Sequence, residues 1–298
     1  MAGNYGQVTE EYRHLVLDDL KNYENLNHPV KTSIVKRLLV RKLPAVQLHP
    51  NPQDEFCDPA IGPNYSIVAD YERNFREMLR TDQDPFGPFD DPLMVEKMST
   101  GGYMILNGHH RWMAARRLGM RKVGVHIVNV STDEDIIAAV KKSRRNMCVS
   151  FDLDEVLLTD GSVYPAHREF GFLRRRIYRK TLRRNAPILI RELQRMGFDV
   201  WVYTGEYYPD RYIRRLFRLH GVKVDGVING MRHRKGKSKI REAFSGKYRI
   251  SLHADNGGLT CVRTRTGEYE MYDIDSVDHD WANQIVQKLR DNKEYWYE

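Results

Sequence analysis

The chain has 298 residues, of which 41% are hydrophobic and 30% charged, with a net charge of +8. This composition excludes global disorder, the length suits two domains each with its own core, and no apolar run approaches the ~20 residues a membrane span needs. The opening Met-Ala-Gly-Asn-Tyr-Gly-Gln lacks a basic-then-apolar leader, and Cys57, Cys148 and Cys261 are far apart, odd in number and without metal-ligand spacing, so a cytoplasmic protein with reduced thiols and no membrane partner is expected.

In chain order, Thr9-Glu10-Glu11-Tyr12 opens a helical stretch with apolar Leu15, Val16, Leu17 and Leu20. Asp54 and Glu55 read on their own as surface charges in a proline-rich loop. Residues 80–92 hold Asp82, Asp84, Pro85, Gly87, Pro88, Asp90, Asp91 and Pro92, a turn-rich segment that serves as a lid or as a plain connection. Tyr103 to Leu106 reads as a strand, Asn107-Gly108-His109-His110-Arg111 as a polar turn, Trp112 to Leu118 as a short helix stopped at Gly119, and Lys122 to Val130 as a further strand. A glycine turn that opens a helix offers free backbone N–H groups and the helix dipole to an anion. His110 and Arg111 would add side-chain donors for phosphate oxygens; the alternative is a basic helix start that is simply solvated. The adjacent histidines alone make a poor metal chelate.

The second half opens on a buried strand, Met147 to Phe151, that runs into Asp152-Leu153-Asp154-Glu155. Side chains at i and i+2 share a face of a strand, so both carboxylates can converge where the strand opens into a loop. Such a pair is costly unless a cation or a proton offsets it. It is what phosphoryl transfer needs, although many Asp-x-Asp pairs only cap a helix or finish a turn. Ser162 to Arg184 is a small, mostly basic insert. Ile188 to Met196 reads as a helix with Gly197 as its stop, Val200-Trp201-Val202-Tyr203 as a strand ending in Thr204-Gly205, and Lys235, Lys237 and Lys239 open a helix toward Phe244. Ile250 to Ala254 is a strand ending in Asp255-Asn256. Strands and helices alternating in this way predict a parallel sheet with ligands at its carboxyl ends. Asp273-Ile274-Asp275 follows no long apolar strand and reads as a loop; Trp281 to Leu289 reads as a terminal helix.

Charge is unevenly divided. Residues 1–147 hold 20 Lys+Arg and 19 Asp+Glu, residues 148–298 hold 28 and 21. The excess clusters at Arg174, Arg175, Arg176, Arg179, Lys180, Arg183 and Arg184, and again around Arg232 to Lys239. These clusters draw in an anionic ligand, nucleic acid included, or form a solvated helix face with Leu173, Ile177 and Leu182 as its buried stripe.

From about Met147 onward the chain resembles the haloacid-dehalogenase-like (HAD) phosphatase superfamily. The resemblance implies that Asp152 is the nucleophile and Asp154 the general acid/base. It makes Thr204 the holder of phosphoryl oxygens, Lys235 or Lys237 the lysine that offsets charge on the phosphoaspartate, and Asp152, Asp154 and Asp255 the Mg2+ ligands. Asp255-Asn256 departs from the two acids of many relatives. The short insert implies a nearly uncapped site that is open to large substrates or closed by another domain or subunit.

Residues from about Val40 to Val130 resemble the ParB/sulfiredoxin-like superfamily, through Leu43 to Pro52, Pro92 to Val95, and Leu106-Asn107-Gly108-His109-His110-Arg111 with Ala114 to Gly119. The resemblance implies nucleotide binding, ATP or ADP, at Asn107, Gly108, His109, His110 and Arg111. His109 stands where sulfiredoxins carry a cysteine, and no helix-turn-helix segment follows, so the small-molecule kinase branch fits best, with Glu55 or Asp54 as the base.

The expected architecture is α/β: a helical extension over 1–38, a small α+β nucleotide-binding domain over 39–145, and a Rossmann-like parallel-sheet domain of HAD type with a minimal cap over 146–298. The expected function is a two-domain phosphoryl-transfer enzyme. It hydrolyses a phosphorylated small molecule through an aspartyl phosphate and binds a nucleotide, as a kinase or as a sensor. A nucleic-acid end-processing or binding protein is the alternative, and oligomeric state is left open.

Overall fold

The structure, a computed structural model, describes residues 9–23, 29–33, 35–37, 39–86, 92–172, 174, 178, 180–208, 210–231, 236–255, 258–263, 266–274 and 280–291. Two compact units divide it, Met1–Val130 and Ser131–Glu298.

In the first unit, Thr9 caps α1 (Glu10–Tyr12) by accepting a hydrogen bond from the Tyr12 N–H; α1 continues through a π-helical turn, Arg13–Leu17, into α2 (Asp18–Tyr23). The wider turn brings Tyr12, Val16 and Leu20 into the same core as Val68, Phe75 and Ile105. The Tyr12 hydroxyl donates to the Phe56 carbonyl at 2.9 Å, so this segment is part of the first unit rather than a separate extension. The sheet is mixed: β1 (Arg41–Pro44), β2 (Leu48–His49), β3 (Leu93–Lys97), β4 (Tyr103–Asn107) and β5 (Lys122–Val128) lie in the order β1-β5-β3-β4-β2. Helices α3 (Tyr65–Arg80) and α4 (His109–Arg117) pack against each other. Gly87, Pro88, Asp90 and Asp91 of the turn-rich loop lie outside the described residues.

The second unit begins earlier than the boundary expected at residue 145. Helix α5 (Asp133–Lys142) belongs to it, because Ile136 and Val140 share a core with Cys148, Trp201, Ile228, Ile240 and Tyr248. Its sheet runs β10-β9-β6-β11-β12-β13. The strands are β6 (Met147–Asp152), β9 (Phe198–Tyr203), β10 (Gly226–Ile228), β11 (Ile250–Asp255), β12 (Gly258–Arg263) and β13 (Tyr269–Asp273). The first four in spatial order are parallel, and β12 and β13 extend the sheet antiparallel. Strands covered on both faces become continuously apolar, as Phe198-Asp199-Val200-Trp201-Val202 shows, every residue buried. The one carboxylate among them, Asp199, is satisfied by Ser143, by the Tyr248 hydroxyl (2.8 Å) and by Arg145 (3.4 Å).

Helices α6 (Ala186–Arg195), α7 (Asp210–Leu219) and α9 (Trp281–Asp291) contribute to the larger core with Val149, Phe151 and Val200; α5 and α8 (Lys237–Lys247) cover the other face. Between β6 and α6 the described residues of the insert include a two-stranded ribbon, β7 (Leu158–Thr159) with β8 (Thr181–Leu182). Of the apolar stripe expected there, Leu182 is buried, while Leu173 and Ile177 lie outside the described residues. Asp273 ends an edge strand rather than lying in a loop: β13 pairs through its backbone with β12, and that pairing leaves no alternating apolar signature.

Candidate functional site

The central strand β6 ends at Asp152, flanked by β9 and β11, so Asp152, Thr204 and Asp255 are delivered to the same edge of the parallel sheet. Asp152 Oδ1 accepts from the N–H groups of Asp154 (2.8 Å) and Glu155 (2.9 Å), capping the π-helical turn Leu153–Leu157. Its other oxygen, Oδ2, takes no hydrogen bond from a described residue. Asp154 is held at both oxygens. Thr204 Oγ1 donates to Oδ2 at 2.7 Å, the Tyr208 hydroxyl donates to Oδ1 at 2.6 Å, and Lys180 Nζ stands 3.3 Å from Oδ1. Burial pushes the Tyr208 hydroxyl well above the usual tyrosine range, and its bond to Asp154 adds to that shift, so it stays protonated and donates.

Beneath the carboxylates, Ser150 Oγ donates to the Leu252 carbonyl (3.1 Å) and so accepts from His253 Nδ1 (2.9 Å). His253 Nε2 is then left to accept from the Tyr203 hydroxyl (3.0 Å). Burial lowers the His253 pKa against the opposing pull of Asp255 and Asp152; burial raises that of Tyr203, with Asp152 and Asp255 adding to it. Asp152 and Asp255 thus act on the same two side chains.

These positions alter several expected roles. Thr204 is fully buried and its hydroxyl is committed, donating to Asp154 and accepting from the Glu206 N–H (3.0 Å); it positions Asp154 rather than facing a phosphoryl group. Among the described residues the ammonium that meets Asp154 is that of Lys180, from the insert. Lys237 is exposed in the first turn of α8, and Lys235 lies outside the described residues. Asp154 is not available as a Mg2+ ligand through its side chain, since hydroxyls and an ammonium occupy both oxygens. Among the described residues no three His, Cys, Asp or Glu side chains gather as a metal cage. Asp152 and Asp255 still suit a small hard cation, which needs only one or two carboxylates and takes its remaining ligands from water and phosphate. Sequence reasoning passed over Tyr208 and Lys180, because the first sits beyond the strand-hydroxyl signal and the second inside an arginine-rich run.

In the first unit, Gly108 caps α4 at φ +100°, and a Cβ there would meet Leu93 Cδ2 at 2.5 Å and Arg111 Nη2 at 3.0 Å. The following side chains turn inward. His109 is 4% exposed; its Nε2 accepts from the Asn51 N–H (3.1 Å) and its Nδ1 lies 3.4 Å from Asp54. His110 Nε2 accepts from the Asn64 N–H (3.0 Å), and Arg111, 6% exposed, donates to Asn107 Oδ1 (3.2 Å). His110 and Arg111 thus brace the loop and the turn, and the first turn of α4 offers its backbone N–H groups to an anion. Glu55 is exposed in a single helical turn, Glu55–Cys57, capped by Asp54.

Burial lowers the pKa of His110 and of His126. The unfolded chain then binds these protons first, so their contribution to stability is complete above about pH 6.5 and is lost as pH falls below it toward the lowered native values. Thermal unfolding is expected to show a melting temperature that declines from neutral to mildly acidic pH. His110→Gln, which keeps an acceptor for the Asn64 N–H, is expected to flatten that decline; an unchanged slope would remove His110 from the account.

All three cysteines are buried free thiols, and among the described residues no helix is long and apolar enough to cross a membrane.

The family model of the ParB N-terminal domain matches residues 74–144, from α3 through α5. Two solved structures of the C-terminally truncated chromosome-partitioning protein ParB from Caulobacter crescentus are similar at 24% and 21% identity, one complexed with CTP-gamma-S and the other with the centromeric parS site. Each match covers 36% of this chain and 56% or 50% of the ParB chain, with TM-scores of 0.24 and 0.23; the chain thus spans about half the length of those structures. No curated protein matches the sequence. The amino-terminal part of this mixed α/β chain carries a ParB-like domain.

Proposed function

We propose that the second unit is a phosphohydrolase of the HAD type working through an aspartyl phosphate. The observation that carries this reading is the grouping of Thr204, Tyr208 and Lys180 around Asp154, just past Asp152 at the carboxyl end of the central parallel strand. In the first step Asp152 Oδ2 attacks phosphorus, the ester P–O bond breaks, and the leaving oxygen takes a proton from Asp154. In the second, water attacks the phosphoaspartate, Asp154 takes the water proton, and the acyl phosphate P–O bond breaks to release inorganic phosphate. Asp154 accepts at both oxygens in the arrangement seen, the form that serves the second step. Serving the first requires Lys180, the most exposed of its partners, to give way. A Mg2+ ion held by Asp152 and Asp255 would offset the charge of the incoming phosphate. Release of phosphate from an aryl phosphate, lost on Asp152→Asn, is the deciding measurement.

A second reading concerns the first unit. The ParB-like match and the left-handed Gly108 cap of α4 favour nucleotide binding at the turn Asn107 to Arg111, phosphates against backbone N–H groups. Of the two candidate bases for a kinase, Asp54 lies 3.4 Å from His109 at that turn, whereas no described contact joins the exposed Glu55 to it. ATP, ADP or CTP at about 100 times its dissociation constant is expected to stabilise the protein by about 2.7 kcal/mol. A melting temperature indifferent to all three at millimolar concentration would end this reading.

A further inference from the structure

Helix α7 buries Ile213, Leu216 and Phe217 in the larger core and leaves Arg211, Arg215 and Arg218 exposed. Their spacing places them on one stripe, with about 6 Å of rise between residues four apart. Among the described residues no carboxylate pairs with any of the three. Like charges three and four apart on a helix repel, and here the repulsion has no internal offset. Arg218 also lines a cavity of about 300 Å³ with Arg214, Lys223 and Val224.

The stripe starts beside the candidate site. Tyr212, on the same helix, stacks on Tyr208, with ring centres 5.8 Å apart and planes 12° apart, and packs against Tyr178 at 4.7 Å. Arg215 and Arg174 both lie close enough to act on the Tyr178 hydroxyl. Two residues beyond Tyr178, Lys180 meets Asp154. Cations therefore run from Asp154 through Lys180, then Arg174 and Arg215, to Arg218 and Lys223.

A single phosphate needs only the first of these charges; a track of guanidinium groups suits an anion that repeats. Guanidinium forks match phosphate bidentately, and the partly exposed rings of Tyr208 and Tyr212 beside the basic path suit an unstacked base. We propose that this track holds the phosphodiester backbone of a single-stranded nucleic acid whose terminal phosphate enters the Asp152 site. The binding half of the proposal stands alone; the placement of the terminal phosphate rests on the phosphohydrolase reading.

The test is fluorescence anisotropy of the full chain with a labelled oligothymidylate at about 50 mM and about 200 mM salt. Binding is expected at the lower salt and to weaken steeply at the higher. The double substitution Arg215→Gln/Arg218→Gln is expected to weaken it about tenfold and to lower the salt slope by about 1.4, near 0.7 for each lost phosphate contact. Hydrolysis of a small aryl phosphate should not change, and the melting temperature should not fall, since the substitutions relieve repulsion along the helix. Absence of binding at low salt, equal binding by the double variant, or equal displacement by polyglutamate of matched charge would overturn the nucleic-acid track, whether or not aryl phosphate is hydrolysed. Arginine-dependent binding without any hydrolysis would instead retain the track and remove the terminal phosphate from the Asp152 site.

Discussion

Asp152→Asn is expected to reduce turnover of an aryl phosphate by about 10³-fold or more, in the range seen when a covalent nucleophile is removed. The substitution is well posed because it separates two jobs of one side chain. Asp152 Oδ1 caps the turn after β6 by accepting from the Asp154 and Glu155 N–H groups, and an asparagine carbonyl accepts equally well at such a position. Oδ2, which takes no hydrogen bond from a described residue, becomes an amide nitrogen without a nucleophilic lone pair. Stability should therefore stay within about 1 kcal/mol of the unsubstituted protein while the chemistry stops. Phosphate release that persists in the variant would show that another group does the work and would sink the covalent mechanism. A collapse in melting temperature would show that the cap depends on charge; Asp152→Glu, which restores charge but moves the oxygen, then separates the two effects.

The strands were legible in the sequence because burial on both faces leaves apolar runs bounded by glycine or acid, as in Met147–Asp152 and Phe198–Tyr203. The end of β6 at Asp152 was legible for the same reason, whereas Asp154 lies past the strand in the helical turn Leu153–Leu157, where strand periodicity does not place it. The partners of Asp154 were not legible. Tyr208 and Lys180 lie in sequence far from Asp154, and only the way the insert and the start of α7 fold back brings them within 2.6 Å and 3.3 Å of it. Thr204 shows the opposite limit: its position at the end of β9 was readable, but the direction of its hydroxyl was not. In the first unit, His109 and Arg111 carried the look of phosphate ligands because charge pattern does not report burial. The inward contacts of His109 depend on loop residues Asn51 and Asp54 that no local pattern connects to it.

Asp154→Asn is expected to act differently according to the leaving group, and this dependence tests the acid/base role more sharply than a loss of activity alone. An alkyl phosphate releases a poor leaving group and needs its proton in the transition state, so the first step should slow by about 10²- to 10⁴-fold. A nitrophenyl ester leaves as a stable anion, so its first step should slow far less, and the burden passes to hydrolysis of the aspartyl phosphate. The variant is then expected to give a burst of nitrophenol followed by slow turnover, with phosphate held on the enzyme. The same substitution has a structural cost. Thr204, Tyr208 and Lys180 all present donors to Asp154, and an amide nitrogen must face at least one of them. Leaving one such donor unsatisfied costs about 1–3 kcal/mol, which unfolding experiments should register. Tyr208→Phe removes one donor and keeps the acid, so it should relieve part of that cost in the double variant while lowering activity only modestly in the otherwise unsubstituted chain. Equal slowing of alkyl and nitrophenyl esters by Asp154→Asn, without a burst, would assign Asp154 to holding the site together and not to moving a proton.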